Sequence, residues 1–279
     1  MKHPVTVIST LLFLAIACSP KTETIVAEAR APVAQKLQSS TSSACPDNMV
    51  EIDGDFCPVV EQRCLYMVDN KGKRTNDPPT LEDRCGEFVN PVKCLAPLVH
   101  KHYCIDKFEL PNQEGAIPTD WMTWHDVHDV CASQGKRMCT RSEWTLAAEG
   151  PNMHPYPYGD GFHRDKTICN IDNHCADVGI TGDQIMKVAS PKSEVAVKLR
   201  SLLVPSGSKD KCVSDYGVHD MPGNIDEWVI NETGKPYVSG LMGGHVFGVR
   251  NASRPMTDAH GPDFKWYESG SRCCADAGK

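Results

Sequence analysis

The sequence predicts an α+β domain dominated by loops and stapled by disulfides. Three observations lead there. Only three windows show helical periodicity over useful lengths. The remainder is short apolar pieces punctuated by Gly, Pro, Asn and Asp, the residues of turns. Fourteen cysteines are scattered along the chain, and scattered cysteines behind an export signal read as disulfides. The 279 residues are 40% hydrophobic and 23% charged, an ordinary globular composition. The net charge of −7 leaves no basic stripe to neutralise phosphates, so nucleic acid is not an expected partner.

The export signal comes first. Met1-Lys2-His3 is a short basic start, and Val5 to Ala17 is an apolar run too short to span a bilayer as a mature helix. The run ends in Ala15-Ile16-Ala17-Cys18, small residues before a cysteine that resemble a bacterial lipobox, with Ala15 where Leu is usual. The expectation is a lipoprotein signal peptide over residues 1–17 and lipidation at Cys18. The mature chain is then anchored to the membrane at the bacterial cell envelope, and Ser19 is compatible with the outer membrane. The alternative is an ordinary signal peptide with an incidental cysteine. Residues 18–44, polar and Ala/Ser/Thr-rich, read as a flexible tether. Without an internal repeat or a second tether, residues 45–279 read as one domain.

Within that domain Thr123 to Gly135 predicts a helix. Thr123 and Asp126 form a capping box, Trp124, Val127 and Cys131 line one face, and Gly135 stops it. Thr140 and Glu143 repeat the capping pattern before Trp144, Ala147 and Ala148, with Gly150 as the stop. Lys192 to Leu203 is the third window, with Val195, Leu199 and Leu202 on one face. Thirteen cysteines remain if Cys18 is set aside, an odd number, so at least one thiol is free or pairs outside the chain. No C-x-x-C occurs, which weakens zinc-ribbon and thioredoxin readings.

The stretch VHDMPGNIDEWV (218–229) crowds Asp220, Asn224, Asp226 and Glu227 around a Pro-Gly turn. Three chemistries fit it: an acid/base pair, a solvated turn, or a calcium site. Calcium takes 6–8 oxygens in flexible geometry, mixing carboxylates with backbone carbonyls, and a tight turn presents such carbonyls inward. The histidines are less informative. His125 and His128 lie three apart on a predicted helix, more in keeping with a wet face than with a metal pair. No H-E-x-x-H, G-x-S-x-G or Walker pattern occurs.

Six phrases in order resemble one family. They are YCIDKFE (103–109), GKRMCTRSEWTLAAEG (135–150), YPYGD (156–160), YGVHDMPGNIDEWV (216–229), the Gly243-Gly244 pair and GSRC (270–273). Together they are similar to the formylglycine-generating-enzyme, or sulfatase-modifying factor, domain, and to a Cys-richer bacterial branch of it. The resemblance spans about residues 45–274 and implies a C-type-lectin-like α+β fold. It implies a structural calcium held by the Asp220 side chain, the Gly223 and Ile225 carbonyls and the Glu227 carboxylate. It implies a second calcium at Asn170 and the Ile171 carbonyl, with Asp183 as the later acidic ligand. It also implies a disulfide between Cys131 and Cys273.

The family's enzymes bind Cu(I) through two cysteines just after the glycine pair, since soft Cu(I) selects soft sulfur. Here that segment is GGHVFGVRNASRP (243–255), without a cysteine, and Gly248 stands where the first copper ligand would fall. His245 and Met256 are copper ligands in principle, or simply a turn residue and a core residue. A second family disulfide would map to Ala148 and Ser253, neither of them a cysteine. No copper is expected. Position in the family fold places Arg250, Arg254, His260 and Trp266 along one ligand groove. The leading expectation is therefore an envelope-anchored, non-catalytic binding or scaffold module that meets an envelope protein, a peptide or a glycan. The rivals are a metal-dependent oxidase using His245 and a free thiol, and a lectin-like carbohydrate-binding module.

Overall fold

A computed structural model describes residues 44–69, 73–75, 84–248 and 250–278. The expected signal peptide, Cys18 and all but the last residue of the expected tether lie outside them.

The longest strands, β1 (Met49–Phe56) and β7 (Val99–Asp106), pair antiparallel over their full length. Between them in sequence lie five short strands: β2 (Val60–Glu61), β3 (Cys64–Val68), β4 (Arg74–Thr75), β5 (Cys85–Phe88) and β6 (Lys93–Cys94). They make two small sheets, β2-β6 and β4-β3-β5. After β7 come α1 (Trp124–Ser133), β8 (Arg137–Met138) and α2 (Arg141–Glu149). Two short helices follow, α3 (Gly182–Met186) and α4 (Glu194–Arg200). The chain ends with β9 (Asp226–Ile230), β10 (Ser239–Met242), β11 (Met256–Thr257), β12 (Ser269–Gly270) and β13 (Cys273–Asp276). The two main sheets have orders β1-β7-β13-β8 and β11-β10-β9-β12, with β12 parallel to β9.

The first two helices start and stop where the sequence places their caps. In α1 the Thr123 hydroxyl accepts from the Asp126 N–H, and Asp126 accepts from the Thr123 N–H. In α2 Thr140 and Glu143 do the same, and Gly150 ends the helix at φ +65°. The third window yields a shorter helix, α4, because Ser193 caps it and the last carbonyls close as turns. The helix α3 was not anticipated, although Thr181 and Gln184 form a capping box before it. Helix α2 is buried from Ser142 to its end at Glu149. Its Trp144, Leu146 and Ala147 pack with Ile52, Tyr103 and Ile105 of one main sheet and Val229 and Met242 of the other. Helix α1 buries Val127 and Cys131 against Met138, Trp228 and Leu241.

Six disulfides lie among the described residues: Cys45–Cys104, Cys57–Cys94, Cys64–Cys85, Cys131–Cys273, Cys139–Cys274 and Cys169–Cys212. Cys175 is a free thiol. Successive residues of a strand face opposite ways. The adjacent Cys273 and Cys274 of β13 therefore staple different partners, α1 on one side and the β8–α2 corner on the other.

The Cys131–Cys273 bond closes a sequence separation of 142 residues. By loop-closure entropy alone the double variant C131A/C273A is expected to lose about 5 kcal/mol of stability. Urea unfolding of the two proteins side by side measures it.

A clamped loop at the candidate functional site

The acidic turn of residues 218–229 lies inside the fold. Asp220, Gly223 and Asn224 all take positive φ, at +57°, +86° and +55°. A Cβ on Gly223 would sit 2.4 Å from Ile171 Cγ2 and 2.5 Å from the Asn170 carbonyl oxygen, so only glycine fits. That close approach zips the two expected calcium segments together. The Asn224 N–H donates to the Asn170 carbonyl at 3.0 Å, and the Asn170 amide donates to Asn224 Oδ1 at 2.9 Å. Asn170 Oδ1 meanwhile accepts from Asn173 at 2.7 Å. Asp183 stands exposed in the first turn of α3. Among the described residues no hydrogen bond links it to Asn170 or Ile171.

Glu227 has a different role from the one the resemblance implies. Its carboxylate takes a fork from Arg272, at 2.8 and 2.7 Å, and a third bond from Trp144 Nε1 at 2.8 Å. Both members of the Arg272–Glu227 pair are 0% exposed. Among the described residues, the buried carboxylates without a bonded cation are Glu109 and Asp220. Glu109 accepts from the Ser206 hydroxyl and the Asn224 amide, and Asp220 accepts from the Gly207 N–H. Burial raises the Glu109 pKa well above the carboxylate range, and the Asp220 charge adds to the effect. Burial likewise pushes Asp220 up to about 6, against the pull of the Gly207 N–H. Two buried carboxylates facing each other take up protons or a cation. An oxygen donor set with surplus negative charge suits calcium, and it centres on Asp220 and Glu109, a residue the sequence reading passed over. As the side chains stand, no three His, Cys, Asp or Glu groups converge on a metal position among the described residues.

The segment after the glycine pair is held by two arginines. Gly248 has φ +81°, and a Cβ there would lie 2.1 Å from Asp172 Oδ1. Asp172 is fixed in place by Arg164, at 2.9 Å to each oxygen. Arg164 also donates to the Gly248 carbonyl at 3.1 Å and to Asn251 Oδ1 at 3.0 Å. From the other side Arg84 donates to the Gly248 carbonyl at 3.1 Å and the Phe247 carbonyl at 3.2 Å. No side chain can occupy position 248 without displacing this clamp. Ser253 donates its hydroxyl to the His154 carbonyl at 2.9 Å.

A buried charge network backs the loop. Asp226 is 0% exposed and is compensated by an ion pair with Arg250 and by the Gly244 N–H at 3.1 Å. His245 Nε2 lies 3.0 Å from Glu268. Burial works against its imidazolium, but Glu268 and Asp226 outweigh that and raise its pKa. His245 is thus an ion-pair partner. Met256 covers β10, where a Cβ on Gly240 would meet its sulfur at 2.5 Å.

The four residues expected along one groove each have a partner within the fold. Arg250 pairs with Asp226, and Arg254 forks onto Glu149 at 2.7 and 2.6 Å. His260 stacks on Phe264 at 3.8 Å, and Trp266 Nε1 donates to the Val188 carbonyl at 3.0 Å. A cavity of about 460 Å³ opens instead between the β3–β5 lobe and the clamped loop. Met67, Phe88, Tyr156 and Pro255 make its walls apolar, and Arg254 and Gln62 stand at them. The Gln62 Nε2 is buried without a partner among the described residues.

Residues 68–277 match the model of the sulfatase-modifying factor enzyme 1-like domain. The chain belongs to that family. Its sheets, long loops and few helices fit the C-type-lectin-like α+β architecture expected of it. Among curated relatives it is 26% identical over 117 residues to the inactive C-alpha-formylglycine-generating enzyme 2 of Bos taurus, covering 42% of this chain and 33% of the relative. It is 28% identical over 113 residues to the formylglycine-generating enzyme of Thermomonospora curvata, covering 40% and 32%. Each match thus spans about a third of the relative's length. Of solved structures, PvdO from Pseudomonas aeruginosa aligns with a TM-score of 0.46 at 16% identity, over 84% of this chain and 95% of PvdO.

Two outcomes follow from this geometry. Gly248→Ala combines a positive-φ penalty with a collision and is expected to destabilise by about 3 kcal/mol or more, read by denaturant unfolding. Glu149 is pushed by burial to about 7 from an ordinary 4.5, although Arg254 opposes the shift. A carboxyl with a raised folded pKa contributes most stability below its unfolded pKa and loses it as pH rises. Stability should therefore fall by about 3 kcal/mol between roughly pH 4.5 and 7 on this account. Glu149→Gln should flatten that part of a melting-temperature profile.

Proposed function

We propose that this chain is an envelope-anchored, non-catalytic binding module. Gly248 and its clamp carry the reading. At the position where the family's enzymes place a copper thiolate there is no room for a side chain, and guanidinium groups and carbonyls surround it. Soft Cu(I) has no affinity for such a set. The name of the inactive relative agrees. The matching enzyme from Thermomonospora curvata is as similar, so the names alone do not decide. The oxidase alternative loses its ligands, because His245 is paired with Glu268 and Cys175 packs against the apolar cluster that holds Ile180, Leu199 and Tyr267.

The ligand is a peptide. Its apolar side chain enters the cavity between the β3–β5 lobe and Pro255, and its backbone carbonyl accepts from Gln62. An apolar pocket with one or two placed polar groups is the usual form of such a site. Anchoring comes from lipid on Cys18. Calcium is structural, held at Asp220 and Glu109 with carbonyls of the turn.

Protein loaded with Cu(I) and offered thiol peptides is expected to bind no stoichiometric copper and to consume no oxygen; turnover would overturn the reading. Binding to a peptide library should weaken in Gln62→Ala, whereas binding confined to a glycan array would replace the peptide ligand with a sugar. Millimolar Ca2+ is expected to raise the melting temperature relative to EDTA. That shift should vanish in Glu109→Gln, and no shift in the parent protein would leave Glu109 simply holding a proton.

A further inference from the structure

The outward face of the β1–β7 pair carries a second group of metal-ligating side chains. Strand alternation puts Glu51, Asp53 and Asp55 on that face of β1, and the register sets Asp53 opposite His102 and Asp55 opposite His100. His100 and His102, two apart on one strand, therefore point the same way. His100 Nε2 lies 3.2 Å from Asp53 Oδ1, while its Nδ1 lies 3.2 Å from Asp55 Oδ1. His102 Nε2 is 2.7 Å from Glu51 Oε1. All five side chains are well exposed, from 41% at Glu51 to 65% at His100.

We infer that this face binds a divalent transition ion, zinc or copper(II), through His100 Nε2, His102 Nε2 and the Asp53 carboxylate. Four features of the face support the assignment. Two ligands on a tetrahedral ion with bonds of about 2.0–2.1 Å stand about 3.3 Å apart, and the His100–Asp53 separation is of that size. The other His100 nitrogen is directed at Asp55, the carboxylate–histidine arrangement that orients metal-binding imidazoles. Three carboxylates beside two imidazoles give the face surplus negative charge. An imidazole–carboxylate set suits zinc or copper(II) better than calcium or magnesium.

The strand pair is also held stiff. Cys45–Cys104 ties one end of it and Cys57–Cys94 the other, so little backbone ordering remains for the ion to impose. His102 must turn from Glu51 toward Asp53. As it stands the three groups do not converge. Glu51 is then placed to serve as a fourth donor.

The test is a calorimetric titration of the chelator-stripped full chain with ZnSO4 and with CuSO4, in millimolar calcium. A Cys175→Ser background removes the free thiol. One ion per chain is expected, with affinity weakened at least 100-fold in H100Q/H102Q and about 10-fold in Asp55→Asn. Histidine ring resonances of His100 and His102 should shift on addition of zinc. The His100, His102 and Asp55 substitutions are at exposed positions, Cys175 is partly buried, and circular dichroism checks that every variant folds. Absence of binding, or binding unchanged in H100Q/H102Q, overturns the assignment.

Discussion

The buried pair Arg272–Glu227 is the interaction on which the other parts of the molecule depend. Both groups are removed from water, which costs several kcal/mol per ion unless every hydrogen-bonding site is met. Here they are met. Arg272 has five N–H donors, and they reach two Glu227 oxygens and the carbonyls of Asp106, Lys107 and His219. Trp144 supplies the carboxylate's third bond. Arg272, just before β13, thereby joins β9, the end of β7 and the acidic turn, and Glu227 adds α2 through Trp144. A lysine has no planar fork and could not span these points. This network explains how so few regular elements can hold long loops in one arrangement.

The departures from the family pattern form one structure. In the sequence Asp226 is one of the acids crowded around the Pro-Gly turn. In three dimensions it receives Arg250 and the Gly244 N–H, while His245, next after the glycine pair, receives Glu268. Arg164 and Arg84 then lock the adjoining loop. A loop that must bind soft metal and change redox state needs thiolates and room. This loop has fixed cations bonded to its carbonyls, which suits a rigid wall. The Glu227 carboxylate has likewise been taken up by structure, leaving Glu109 and Asp220 as the pair that needs a counter-charge.

The fold was legible in the sequence where local rules act. Capping boxes at Thr123 and Thr140 and glycine stops marked α1 and α2, because those signals depend on neighbours within four residues. The fold class followed from cysteine usage and turn residues. The two-residue strands left no pattern of period two long enough to see, and α3 is too short for helical periodicity. The candidate site was only half legible. Its location came from the glycine pair, but its contents did not. Arg84 and Arg164 lie 84 to 164 positions from their partners on the loop, and nothing in a single sequence signals such pairings. The partners that Arg250 and Arg254 find, Asp226 and Glu149, carried no local signal either.

The lobe between β1 and β7 follows a different principle from the domain beneath it. Its sheets have strands of two to five residues. Such ribbons are marginal in water by themselves, and the lobe leaves Val59, Leu65, Leu95 and Leu98 more than half exposed. Cys57–Cys94 and Cys64–Cys85 supply what burial does not. Covalent closure frees the side chains of the lobe from packing duties. Gln62, Cys64 and Met67, which line the cavity from this side, lie before the stretch that matches the family. The wall on the other side, Tyr156, Ala252 and Pro255, belongs to the matched domain and is fixed by its core. A pocket built from one wall under packing constraint and one under covalent constraint can change its lining by substitution in the lobe, with little consequence for the Arg272–Glu227 network that holds the domain together.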